Sequence, residues 1–135
     1  MHRITLYPML LTALLLAVAC AGRTETVIGT GKADGMTIRI SSATGALKKG
    51  ANDLTLAFVD ESGQPVDVSA ASLNFHMPAM GGMAAMTDKA TLTTTTTPGK
   101  YNARVEIEVP GTWEAQVKYQ TPRASGETSI TVQAK

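Results

Sequence analysis

Four methionines, Met77, Met80, Met83 and Met86, recur at every third position of this chain, and a histidine, His76, stands immediately before them. The chain has seven methionines; Met1 and Met9 belong to an N-terminal stretch considered below, and His76 is the only histidine outside that stretch. Thioether sulfur is soft, polarizable and uncharged at any pH. Several thioethers beside one imidazole form a donor set suited to Cu(I) and poorly suited to magnesium, calcium or manganese. The candidate metal ligands are therefore His76, Met77, Met80, Met83 and Met86, and the candidate cargo is Cu(I). Thioether sulfurs bind no proton in water, so they would keep a site assembled in acid. The same residues allow a second reading without metal, in which flexible methionine side chains pack on the domain or dock on a partner. Pro78 and the adjacent Gly81 and Gly82 argue against a long helix here, since each glycine costs about 1 kcal/mol against alanine in a helix interior. The stretch reads as a loop that can fold its sulfurs inward.

The element that positions this loop is legible in the alternation before it. Ser69 to Met77 reads as a strand with Leu73, Phe75 and Met77 on its apolar face and Ser72, Asn74 and His76 on its polar face. If that strand runs unbroken to Met77, His76 and Met77 point to opposite sides and cannot share one ion. The residue before a proline favours extended backbone, which supports such a continuation. Met80, Met83 and Met86 have no strand role in this reading.

Similar alternation places strands at Met36 to Ile40, Asp53 to Val59, Tyr101 to Val109, Trp113 to Tyr119 and Thr128 to Val132. Met36 falls in such a pattern and reads as core. Lys89 to Thr97, with five consecutive threonines, reads as an exposed edge strand. Turn residues separate the runs, at Asp34-Gly35, Asp60 to Pro65, Pro98-Gly99 and Pro110-Gly111. About seven short strands with no amphipathic helix predict an all-β fold, an immunoglobulin-like antiparallel β-sandwich. Apolar packing around Phe58, Phe75, Tyr101 and Trp113 would join its sheets. Trp113 opens a strand and reads first as core, and only secondarily as a cation–π cover for a metal.

Length and composition bound the rest. A chain of 135 residues is one domain, large enough for a core without disulfides. Twelve basic against eleven acidic side chains leave no basic patch for nucleic acid. The uncharged run Ile4 to Ala19, after His2 and Arg3, matches a bacterial secretory signal. The lone Cys20 follows Ala17-Val18-Ala19 in the manner of a lipobox, so Cys20 is the expected lipidation site, the alternative being plain secretion with cleavage near Ala19 or Ala21. Acylation would make its thiol unavailable to metal. Loss of Arg3 with the signal leaves 12 − 1 = 11 basic side chains against 11 acidic, a formally neutral mature domain. The expected organisation is a signal peptide over 1–19, lipidated cysteine and tether over 20–33 with a weak strand at Thr24 to Ile28, and the β-sandwich over 34–135. The expected place is the cell envelope, lipid-anchored and facing the periplasm, at the outer membrane of a two-membrane cell because Ala21 is not aspartate. Thioether ligation suits that oxidising compartment, where thiols are lost to disulfides. Nothing in the chain forms a nucleophile–base or paired-carboxylate arrangement, so no enzyme is expected.

Gly50-Ala51-Asn52, Gly63-Gln64-Pro65-Val66, Met77-Pro78-Ala79-Met80, Pro98-Gly99-Lys100-Tyr101 and Gly111-Thr112-Trp113, in this order and spacing, resemble the YtkA-like (FixH-like) family of bacterial envelope domains. The resemblance covers roughly residues 46 to 132. It implies a small extracytoplasmic β-sandwich, often lipid-anchored, associated with metal handling and respiratory-oxidase assembly, and it carries over onto Met77 and Met80 alone. FixH-type members usually span the membrane, whereas this chain looks lipidated. Two functions follow as expectations: a Cu(I) chaperone, buffer or resistance component, or a metal-free module whose methionine-rich tip docks on a membrane pump, adaptor, transporter or oxidase-assembly protein.

Overall fold

The structure, a computed structural model, describes residues 24–135. The expected signal peptide over 1–19 and the expected lipidation site Cys20 lie outside the described residues. Nine strands follow one another: β1 (Thr26–Ala33), β2 (Met36–Ser42), β3 (Gly50–Val59), β4 (Ala70–Met77), β5 (Met86–Lys89), β6 (Thr91–Thr94), β7 (Lys100–Ile107), β8 (Gly111–Gln120) and β9 (Ser125–Ala134). They form two antiparallel sheets, ordered β1-β2-β3-β7-β6 and β5-β4-β8-β9. With β1 set aside, these are the A-B-E-D and C′-C-F-G orders of an immunoglobulin-like sandwich.

Period-two alternation builds the core. In β7, Tyr101, Ala103, Val105 and Ile107 are buried while Lys100, Asn102, Arg104 and Glu106 face water. Phe58 meets Tyr101 and Tyr119 edge-on, with ring centroids 6.3 and 5.9 Å apart. Phe75 and Trp113 are fully buried, and Met36 joins them in the core as its alternation predicts. The Trp113 indole N–H donates to the carbonyl of Val109 at 3.0 Å, so this side chain is a satisfied core residue and covers no exposed site.

Two strands beyond the expected seven change the architecture. Residues 26–33, read from sequence within the tether, form β1 and pair along β2 through a two-residue turn, Asp34-Gly35, with φ of 50° and 72°. Gly29 and Gly31 serve close packing. A Cβ on Gly29 would lie 2.7 Å from Ile130 Cγ2, and one on Gly31 would lie 2.8 Å from Ile130 Cγ1. The missing side chains let the β1 edge close against β9. The second addition, β5, lies in what reads as the end of the methionine loop. From β5 the chain crosses to the other sheet at buried Ala90, whose N–H donates to the Leu73 carbonyl at 3.0 Å. It then forms the short threonine-bearing edge strand β6, shorter than the expected 89–97 because Lys89 belongs to β5 and because the chain turns after Thr94, where the Thr97 N–H donates to Thr95 Oγ1.

Candidate functional site

The candidate ligands lie on one hairpin, β4 and β5 with the residues between them. Their register is continuous: Asn74 faces Lys89, Phe75 faces Asp88, His76 faces Thr87 and Met77 faces Met86. Residues 78–79 and 84–85 leave the regular ladder, where Pro78 has no N–H to donate. The same register resumes at the tip, where Met80 pairs with Met83 across Gly81-Gly82. The Met80 N–H donates to the Met83 carbonyl at 3.2 Å and the Met83 N–H to the Met80 carbonyl at 2.9 Å. Gly81 alone has a positive φ, 55°, as the first position of a type II′ turn requires. The expected loop is thus a hairpin that narrows to a two-residue turn. Met86, expected in that loop, is the first residue of β5.

This register sorts the five candidates into three rungs. Met77 is 5% exposed and lies on the core face, with its Cε within 3.0 Å of the position a Cβ on Gly111 would take. Met86, directly opposite, is half-buried and packs against the core. His76 points to the other face, as its alternation with Met77 demands, so the structure separates these two. On that face His76 lies between Thr87 of β5 and Glu114 of β8. Its Nδ1 is 3.2 Å from Thr87 Oγ1, which leaves Nε2 as the nitrogen for a metal. The sequence reading missed Thr87, which becomes visible only once the register is known. Met80 and Met83 stand at the tip, 62% and 52% exposed.

Directly opposed residues of an antiparallel pair have Cβ atoms about 4.5–5.5 Å apart on the same face. Two flexible thioethers at that separation can close on one soft ion. The Met77–Met86 rung is three residues away, about 10 Å at the usual strand rise, and on the core side. His76 shares the tip's alternation parity and lies at most about 13 Å from Met80 along an extended chain. Among the described residues no three His, Cys, Asp or Glu side chains group to hold a metal. The hairpin is a projection. A depression of about 580 Å³, lined by Ala71, Tyr119 and Gly126 among others, lies at the far end of β4.

An immunoglobulin-like sandwich with an exposed methionine finger between its C and C′ strands is the class that the fold and site define. The YtkA-like family model matches residues 30–118, from the middle of β1 to near the end of β8 with the whole finger inside, and the chain belongs to that family. Membership points to a bacterial envelope domain. No curated protein matches the chain.

Proposed function

We propose that this protein is a lipid-anchored envelope protein that captures Cu(I) at the hairpin tip, as a chaperone, buffer or resistance component and not as an enzyme. Met80 and Met83 grip the ion from opposite strands. His76 is the third donor, which asks the finger to fold at Pro78-Ala79, where neither residue is held in a ladder. Met77 and Met86 support the finger from the core side. The observation that supports this reading is the reciprocal backbone pairing of Met80 with Met83 across the glycine turn, between two exposed residues whose side chains end in soft sulfur.

A second reading rests on the same exposure: every residue from 78 to 85 is exposed and none is charged, as on a surface that docks into an apolar groove of a membrane transporter or oxidase-assembly partner. Anaerobic Cu(I) titration against a competing chelator separates the two. The full chain, carrying Cys20→Ser so that no thiol competes, is predicted to bind one ion. Met80→Leu/Met83→Leu, which keeps much of the volume and removes the sulfurs, is predicted to lose it and stay folded. Equal retention by parent and variant, or none by either, refutes the tip as a copper site.

A further inference from the structure

The described methionines fall into two environments. Met80 and Met83 are 62% and 52% exposed, while Met36 and Met77 are 6% and 5% exposed and Met86 is half-buried against the core. A thioether is oxidised in proportion to its access to oxidant, and its sulfoxide is polar, chiral and enzymatically reducible. We propose that Met80 and Met83 form a modification site, oxidised to sulfoxides by a peroxide while the methionines of the sandwich stay reduced, and that this oxidation switches the finger off. In the step, the sulfur lone pair attacks one peroxide oxygen, the O–O bond breaks and an S–O bond forms. Sulfur loses two electrons, and the second oxygen leaves as water with both of the peroxide's protons.

The fold makes the change local and reversible. Neither tip methionine belongs to the core, so two added oxygens remain in solvent and leave the sandwich intact. The Met77–Met86 rung, which holds β5 to β4, is spared. At the tip, two soft donors become sulfoxides, which present hard oxygen and no longer suit Cu(I). An apolar docking surface would equally turn polar, so the modification does not depend on the copper reading, although its consequence for metal does.

The test is graded hydrogen peroxide treatment of the full chain carrying Cys20→Ser, in detergent, with site-resolved mass spectrometry, thermal unfolding and Cu(I) retention. Met80 and Met83 are expected to gain oxygen about tenfold faster than Met36 and Met77, following their exposed fractions. Thermal unfolding should not move over that interval, and Cu(I) retention should fall with tip oxidation. Oxidation of Met36 or Met77 in step with the tip overturns the proposed site, as does loss of fold stability that tracks tip oxidation. Undiminished Cu(I) retention by the oxidised chain overturns the switch. A reduced chain that never retains Cu(I) defeats the copper reading, while the oxidation pattern still decides the modification site.

Discussion

A thioether has no proton to lose and no charge to pair, so the facing and water access of Met77, Met80, Met83 and Met86 decide what each can do. The hydroxyl of Tyr119 is a contrasting case, since its chemistry is set by burial and one partner. It donates to Asp34 Oδ2 at the β1–β2 turn, and burial first, then Asp34, pushes its pKa up from 10.0 to about 12. A phenol whose folded pKa exceeds its unfolded value favours the native state in its protonated form. That contribution is complete below pH 10 and is lost as pH rises towards about 12. Burial and Asp67 raise Tyr101 in the same direction, so it adds to the same alkaline limb. Thermal unfolding should therefore shift to lower temperature through this window, with tyrosinate absorbance rising in parallel. Tyr119→Phe should show a shallower loss there; an unchanged alkaline profile would show that Tyr119 carries none of it.

The hairpin is the element on which the site depends, and its register separates structural from candidate functional residues. Met77 faces Met86 in the same register in which Met80 faces Met83. Replacing the eight residues 78–85 with Asn-Gly should therefore join Met77 to Met86 through an ordinary two-residue turn. No buried residue is removed, so the unfolding midpoint should stay within a few degrees of the parent, corresponding to less than about 1 kcal/mol. Cu(I) binding should disappear. A collapse of stability would mean that the finger supports the sandwich.

The opposite facing of His76 and Met77 was legible from alternation alone, because Leu73 and Phe75 fix which face is apolar. Met86 was not legible in that way: four residues bearing Asp88 and Lys89 give little strand signal, and its partner follows only from the register. Gly81-Gly82 carried that information, since adjacent glycines are also a hairpin-turn signal from which both methionine rungs can be counted. Similarly, β1 was legible only as a weak strand over residues 24–28; its continuation to Ala33 was hidden by Gly29 and Gly31, whose role depends on Ile130 and Val132, about a hundred residues further along the chain.

At the scale of the molecule, the sandwich is a rigid mount. Its core runs from Met36 to Ala134, and the finger leaves it at the edge of the smaller sheet. The edge strand β5 is short and carries charged Asp88 and Lys89, features that discourage pairing with another chain. Asp88 Oδ2 accepts the Glu108 N–H at 3.2 Å, tying this edge to the β7–β8 connection. The tip thus projects from an element fixed along both β4 and its flank, an arrangement suited to presenting two sulfurs outward. The measurement that addresses this account most directly is ¹³C-methyl methionine NMR of the full chain with Cys20→Ser during anaerobic Cu(I) addition, because it reads each thioether separately. With copper held at the tip, the ε-methyl signals of Met80 and Met83 shift together and saturate at one ion, with Met36 unmoved and Met77 and Met86 changing little. Signals that all stay in place, or that move at Met77 and Met86 while the tip is silent, would contradict it.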